Sequence, residues 1–326
     1  MKAAIPLTLP NVSERRHVHI LNPASGGNKY FSAAKNAIEK TGEDMLISNN
    51  PGEIRSRICE LFKNDPFAHA IIYGGDGTVF EAVNGIMDSG MQEFASFSVI
   101  PSGSGNDFSK YVNDSGIFKK AELNKIDIIH VICGENTWYF ANMMNIGFDC
   151  EVVNETYELK KKPLLKGSAA YIAGVVKVLA RKKTFGAKIK MTSCVKDFKN
   201  NEEIIDEITH EKEVLLCAVA NSHYCGGGFN AAPLAKVNDG FMDVLVINDV
   251  TRLEFLSLVG DYRTGEYIDE AGNMKKKFNS VLDYTQCKKI EISGCEKICL
   301  DGEIFRTNWQ TVTAEIIKKA LWFAAI

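Results

Sequence analysis

No run of about 18 consecutive apolar residues occurs in the chain, so no membrane-spanning helix is expected. The nearest candidate, residues 164–180, is interrupted by Lys166 and Lys177. Near the N-terminus a short apolar stretch is broken by Pro6 and Pro10; it is too short for a secretory signal and reads as a loose leader. A large net charge is also missing. Thirty-eight basic residues against 41 acidic ones leave −3, which gives no reason to expect nucleic acid as a partner. The nine cysteines include no Cys-x-x-Cys pair, so free buried thiols in a reducing cytosol are expected rather than a zinc site. No Gly-Lys-Ser/Thr follows a glycine run, which excludes a P-loop, and the protein-kinase motifs are absent. There is no internal repeat. What remains is a globular chain of 326 residues, 45% hydrophobic and 24% charged, long enough for two domains.

The first third alternates two periodicities. Residues 17–22, 45–48, 70–73 and 97–100 are short apolar runs suited to strands. Between them, residues 30–40, 54–62 and 78–87 place apolar side chains three and four apart, the spacing of one helical face. Alternating strands and helices predict a mostly parallel sheet, in which ligands bind beyond the carboxyl ends of the strands. Past a turn signal at Gly134-Glu135-Asn136 the pattern changes. Residues 137–145, 214–221, 242–248 and 289–293 are β-rich, with helical patches at 171–180 and 253–263. Residues 197–212 are polar and read as a solvated hairpin or loop. The expectation is an α/β nucleotide-binding domain over 14–134, a β-rich antiparallel domain over 135–310, and a last segment, 311–326, returning to the first domain.

Three glycine-rich segments fall at the expected strand ends. Gly74-Gly75-Asp76-Gly77-Thr78 follows a buried strand and precedes a helix. Without Cβ atoms its backbone N–H groups can approach an anion, and the helix N-terminus adds partial positive charge. Asp76 beside a polyanion makes sense if it holds Mg²⁺ or takes a proton. Ser102, Gly103, Ser104, Gly105, Asn106 and Asp107, after Pro101, alternate small hydroxyls with glycine before a helix, a second candidate nucleotide cradle. Asn22, Pro23, Ala24, Ser25, Gly26 and Gly27 form the third, which alone reads as a turn.

In this order, the three segments resemble the diacylglycerol kinase catalytic domain family, which includes bacterial lipid kinases and sphingosine kinases and shares its nucleotide-binding fold with NAD kinases. The resemblance runs from about His17 to the C-terminus. It is carried by Gly74–Thr78 with Glu81 and Asn84, by 101–107, by Asn145-Ile146-Gly147-Phe148-Asp149, by Gly226-Gly227-Gly228 with Pro233, by Asp239-Gly240, and by Asp301-Gly302-Glu303. It implies an ATP-dependent kinase acting on a lipid hydroxyl, most readily that of diacylglycerol or a related lipid. ATP contacts are implied for Asn22–Gly26, Ser48, Gly75–Glu81 and Ser104. Ser48 stands at a usual threonine, Ser104 at a more common threonine, and Phe80 where many relatives carry asparagine.

Asp301 and Glu303 follow an apolar strand; if that strand continued, alternation would put both on one face. Glu303 is favoured as the base that accepts the lipid hydroxyl's proton, with Asp301 as its partner. The resemblance implies a structural Mg²⁺ held by Asp239 and the backbone carbonyls of Lys236 and Phe241. Residues 157–190 carry ten lysines and arginines against the single acid Glu158, a pattern suited to peripheral contact with an anionic membrane surface. A homodimer is compatible with the sequence. A cytoplasmic enzyme that visits the membrane during catalysis is the expectation; NAD kinase, or a non-catalytic nucleotide or lipid sensor on the same fold, is the alternative.

Overall fold

The computed structural model describes residues 9–48, 50, 52–160, 168–195 and 204–326. The first eight residues of the expected leader, Lys161, Lys162 and Lys166 of the basic segment, and 196–203 lie outside the described residues. The chain packs as two compact units. The first holds residues up to Gly103, Val112–Ile126 and Lys319–Ile326; the second holds Ser104–Tyr111 and Asp127–Lys318.

In the first unit β1 (His17–Leu21), α1 (Gly27–Thr41), β2 (Asp44–Ile47), α2 (Glu53–Asn64), β3 (His69–Gly74), α3 (Asp76–Ser89) and β4 (Ser96–Pro101) follow in order. The strands lie in the order β2-β1-β3-β4, all parallel, and the end of the C-terminal strand Val312–Ala324 runs parallel to β4. Strands covered on both faces are buried along their length, as β1 is from Val18 to Leu21. Helix α2 buries Ile54, Ile58, Leu61 and Phe62, spaced as one helical stripe. Among the polar side chains buried in this unit, His69 and Ser98 are both satisfied. His69 is buried between the hydroxyls of Ser96 and Ser98, each 2.8 Å from a ring nitrogen. Burial pushes its pKa down to about 3, so it is a neutral core residue. Ser98 Oγ in turn donates to the Ala324 carbonyl at 2.6 Å, and Phe97 packs edge-on against Phe323, tying the C-terminal residues to β4. The apolar tail thus docks on the core of the first unit.

In the second unit come α4 (Asp107–Asp114, shared with the first), β5 (Leu123–Cys133), β6 (Asn136–Phe140), β7 (Met143–Gly147), α5 (Phe148–Lys160), α6 (Ser168–Arg181), β8 (Phe185–Val195), β9 (Ile204–Ala220), β10 (Tyr224–Cys225), β11 (Phe229–Asn230) and β12 (Met242–Asn248). They are followed by α7 (Arg252–Thr264), β13 (Leu282–Cys287), β14 (Lys289–Ser293), β15 (Lys297–Leu300), β16 (Glu303–Arg306) and β17 (Val312–Ala324). The pairs β7–β9, β9–β12, β12–β13, β8–β14, β14–β17 and β15–β16 are antiparallel, so this unit is β-rich with three helices, α5 to α7, packed against it. The polar stretch 204–212, expected as a solvated hairpin or loop, is the exposed half of β9, which forms a hairpin with β8, paired antiparallel across Ile204–Val214. One detail differs from the sequence reading. Residues 137–145 are two strands, β6 and β7, because Ala141 and Asn142 turn the backbone out of register between them. All nine cysteines are free, eight of them buried.

Where α2 crosses α3, Gly85 leaves room for the partner helix: a Cβ there would stand 2.5 Å from the Arg55 carbonyl oxygen and 3.0 Å from Ile58. Gly85→Ala is therefore expected to destabilise the first unit by roughly 1–3 kcal/mol, the usual cost of overpacking. A thermal or urea melt followed by circular dichroism would show it; an unchanged melt would mean the helices separate without penalty.

Candidate functional site

Because β1 to β4 are parallel, their carboxyl ends lie on one edge, and the loops that follow them gather there. Asn22 follows β1, Ser48 follows β2, Gly74 ends β3, and Ser102 and Gly103 follow β4. They are tied to one another by short hydrogen bonds. Asn22 Nδ2 donates to Thr78 Oγ1 at 3.0 Å, the Ser48 N–H to the Leu21 carbonyl at 3.0 Å, the Ser102 N–H to the Gly74 carbonyl at 3.0 Å, and Ser102 Oγ to Ser25 Oγ at 3.0 Å. Asn22 Oδ1 accepts from the Ala24 N–H, closing a turn that shapes the segment of Pro23, Ala24, Ser25 and Gly26.

Asp76 and Gly77 lie in the first turn of a helix rather than in a loop before one. Helix α3 starts at Asp76, with Gly75 as N-cap and no side chain capping it. The Thr78 and Val79 N–H groups bond the Gly75 carbonyl. Asp76 and Gly77 thus occupy the helix end that carries partial positive charge and attracts anions. Thr78 is folded back so closely on Gly74 that any Cβ at 74 would overlap it, which explains glycine there. Glu81 spans to the start of α2: its two oxygens accept from the Gly52 and Ile54 N–H groups, each at 3.2 Å. Phe80 is buried.

Ser104, Asn106 and Asp107 belong to the second unit. Asn106 has a positive φ of 57°, a conformation asparagine tolerates better than most residues. Asp107 opens α4 and accepts from the Gly227 N–H at 3.0 Å, which joins two of the glycine motifs.

The Asp301-Gly302-Glu303 segment does not continue a strand. Leu300 pairs with Glu303, and the two residues between them, at φ 47° and 94°, make a hairpin turn of the kind that needs positive φ at both positions. The shared-face expectation fails for that reason: the turn separates the two carboxylates. Asp301 is buried, and its carboxylate accepts from three successive backbone N–H groups, Ala141 (3.1 Å), Asn142 (3.1 Å) and Met143 (2.8 Å). Glu303 lies on β16 and is partly exposed; the hydroxyl of Tyr157, from α5, hydrogen-bonds it. Burial and the Glu303 charge push the Tyr157 pKa up to about 12, keeping the hydroxyl a donor. Tyr157 carried no motif; its signal was only an aromatic on a helix that periodicity had not revealed.

A buried polar network connects this hairpin to the Asp239 loop. Asn142 Nδ2 donates to the Tyr224 carbonyl, Ser222 Oγ to Asn142 Oδ1, and Asn221 Nδ2 to the carbonyls of Ala141 and Asp127. Asp127 Oδ2 accepts from the Gly240 N–H at 2.7 Å, and Asp239 Oδ1 from the Phe241 N–H at 3.0 Å. Burial, with Asp127 nearby, raises the Asp239 carboxyl to about 6. Among the described residues no group of three or more His, Cys, Asp or Glu is arranged to hold a metal. A cation here would rely on Asp239 and carbonyl oxygens such as those of Lys236 and Phe241, a donor set that suits a hard ion.

The second unit also contains an apolar cavity of about 540 Å³, counting the mouth that opens to solvent. Helix α7 is fixed at its start by a reciprocal cap between Thr251 and Glu254 and presents Phe255, Leu258 and Tyr262 to the cavity. Asp149, in the first turn of α5, is the only carboxylate in the lining among the described residues. Burial raises its pKa from 3.8 to about 6, opposed by a hydrogen bond from the Tyr262 hydroxyl at 3.4 Å.

A carboxyl whose pKa is raised on folding stabilises the fold below its unfolded value, and that contribution is lost as pH rises through the folded value. The rise from 3.8 to about 6 corresponds to at most about 3 kcal/mol. Asp149→Asn should therefore raise the unfolding midpoint at about pH 8 and change it little at about pH 4. Urea melts at the two pH values check this; an equal effect at both would show that charge burial is not the cause.

Comparison with known proteins accords with this architecture. The diacylglycerol kinase catalytic domain model matches residues 16–135, and the model described as the YegS C-terminal NAD kinase beta sandwich-like domain matches residues 142–320. A "Probable lipid kinase YegS-like" of Shewanella frigidimarina is 27% identical over 316 residues, covering 93% of this chain and 92% of the relative. A protein of the same name from Chromohalobacter salexigens is 26% identical over 317 residues, covering 94% and 92%. A crystal structure titled as a diacylglycerol kinase from Bacillus anthracis str. Sterne shares the fold, with a TM-score of 0.61 at 20% identity over 95% of this chain and 96% of that one. With more than half of its length matched by the second model, the chain belongs to the YegS C-terminal domain family and carries a diacylglycerol kinase catalytic domain ahead of that domain.

Proposed function

We propose that the protein is an ATP-dependent lipid kinase that transfers the γ-phosphoryl group to a lipid hydroxyl, with diacylglycerol or a related lipid as acceptor. The observation that carries this reading is the gathering of the Asn22, Ser48, Gly74–Thr78 and Ser102 segments on one carboxyl edge of a parallel sheet. Phosphoryl transfer asks little covalent chemistry of a protein; it asks for held phosphates and a placed acceptor. The α3 N-terminus and the small-residue turns around it suit phosphate oxygens, because glycine at 74 lets the first turn fold back and leaves backbone N–H groups unobstructed. Ser104, Asn106 and Asp107 extend the candidate nucleotide contacts.

Glu303 is the proposed base. Its partner Asp301 already accepts three backbone N–H bonds, which favours the charged carboxylate and makes it a poor proton acceptor. Asp301 therefore holds the turn, and Glu303, oriented by Tyr157, takes the acceptor hydroxyl's proton as the oxygen attacks. Mg²⁺ bound with the nucleotide would neutralise developing phosphate charge, with Asp76 the candidate side chain beside it. A second, structural Mg²⁺ would be held by Asp239 and the Lys236 and Phe241 carbonyls.

Peripheral contact with an anionic membrane is part of the proposal, and the exposed Ile172 and Val176 on α6 support it. The basic charge there is partly neutralised, since Lys177 and Arg181 pair with Glu155, and Lys182 with Asp249. Exposed apolar side chains, rather than net charge, would then supply most of the attraction.

The test is ATP-dependent phosphorylation of lipids in mixed micelles with Mg²⁺, with NAD as a parallel acceptor. Glu303→Gln should lower kcat by roughly 10²–10⁴-fold with the fold intact, the usual worth of a general base. Asp301→Asn should lower activity together with the unfolding midpoint, because it removes a buried charged acceptor shared by three N–H groups. Transfer to NAD alone would replace the lipid-kinase reading with the NAD-kinase one, and ATP binding without transfer to any acceptor would favour a sensor.

A further inference from the structure

Two of the nine cysteines face each other across a strand pair. On one side of them Gln286 of β13 is paired with Val195 of β8; on the other, Lys289 of β14 is paired with Thr192. The register is the same at both places, so Cys287 and Cys194 fall opposite one another. Opposite residues of an antiparallel pair have Cα atoms about 4.5–5.5 Å apart, inside the roughly 4.4–6.8 Å that a disulfide spans. Both side chains are wholly covered. Burial, and next the neighbouring Cys194, hold the Cys287 thiol well above the ordinary thiol range. Burial raises Cys194 too, and the Ile208 backbone opposes that. The ladder around the pair is irregular: the Lys288 N–H bonds the Thr192 carbonyl at 3.2 Å, and Ser193 has a positive φ of 57°. Such a break lets two strands adjust where a regular ladder would hold them. The pair also lies at a rim. Cys194 and Val195 are flanked by Ile205 and Ile204 of β9, whose side chains are exposed, and opening a sheet at its rim costs far less than unfolding it.

We propose that Cys194 and Cys287 are a redox pair, which a low-molecular-weight disulfide converts reversibly into a cross-strand disulfide between β8 and β13. When the rim opens, the Cys194 thiolate attacks one sulfur of the small disulfide, forming a mixed disulfide and releasing one small thiol. The Cys287 thiolate then attacks the Cys194 sulfur, forming the protein disulfide and releasing the second small thiol. The two protons of the protein thiols end on the two released thiols, and the small disulfide takes up the two electrons. Cys194 reacts first because it lies at the rim and its thiol is the less suppressed of the two. Burial keeps the pair slow to react, so it stays reduced in a reducing medium and closes under sustained oxidation. On its other side Cys287 is paired with Met242, the first residue of β12. The link therefore fastens β8 beside the place where the Asp239–Phe241 loop ends. The inference is independent of the lipid-kinase reading.

The test is treatment of the full chain with glutathione disulfide, with circular dichroism showing that it stays folded. The product is alkylated, digested without reductant and mapped by mass spectrometry. The 194–287 linkage is expected to account for most of the protein disulfide, with a loss of two hydrogens per chain, and a reductant should reverse it. Cys59, which is not fully buried, reports by its own mixed disulfide that the oxidant has acted. Cys287→Ala should trap the mixed disulfide on Cys194, and Cys194→Ala should leave Cys287 unmodified. Hydrogen exchange at residues 286–289 should slow on oxidation of the wild type and not of either variant. The mapping needs only the wild type, so it stands if a variant fails to fold. Modification confined to Cys59, linkage of Cys287 to Cys217 instead, or a 194–287 linkage that forms only after unfolding in urea would overturn the proposal.

Discussion

Three consecutive N–H groups aimed at one carboxylate are the constraint on which the candidate catalytic segment depends. The backbone at Ala141, Asn142 and Met143 leaves the ladder between β6 and β7, and buried N–H groups without partners would cost about 1–3 kcal/mol each. Asp301 meets all three. In return the turn is fixed at the one place where Glu303 can start a new strand, and Asn142 and Asn221 carry the order onward to Asp127 and the Gly240 loop. One buried network thus sets both the hairpin that bears the proposed base and the loop proposed to hold a cation. Networks of this kind are valuable when complete and costly when broken, because the low-dielectric surroundings strengthen every bond and penalise every vacancy.

In the first unit a different economy applies. Parallel strands place all their carboxyl ends together, so chemistry needs only short segments of small residues at each end. Gly74 gives up a side chain so that Thr78 can fold back, and Asn22 reaches that same Thr78 from the neighbouring strand. The rigidity of the edge comes from backbone and short side chains, which lose little conformational entropy on ordering. The long charged side chain present, Glu81, is bound at both oxygens by the start of α2.

Much of this was legible in the sequence. Apolar periodicity located β1 to β4 and α2 and α3, because a parallel sheet covered on both faces leaves strong local patterns. The helices over 171–180 and 253–263 were found in the same way. The misses share a cause. Helix α5 was overlooked because its apolar residues, Val152, Val153 and Tyr157, serve two environments and do not form a clean stripe. The polar half of β9 left hairpin and loop undecided because an exposed strand pair carries no apolar alternation. The bonds of Asp301 could not be foreseen because a side chain that bonds backbone far away in sequence leaves no local trace, and the turn at Gly302 was invisible to an argument from alternation. Asp149 appeared in the Asn145-Ile146-Gly147-Phe148-Asp149 motif, but only the folded chain shows that α6 and α7 close an apolar wall around it.

The strand Val312–Ala324 starts beside β14 in the second unit and finishes beside β4 in the first. The first unit is consequently discontinuous in sequence, and its last strand is made after the second unit. Until Lys319–Ile326 emerge, the nascent chain holds β4 with an open flank whose Ser98 hydroxyl lacks the Ala324 carbonyl and whose Phe97 lacks Phe323. An unpaired apolar edge is an invitation to wrong pairing. Completion of the first sheet is therefore deferred until the whole of the second unit has been made.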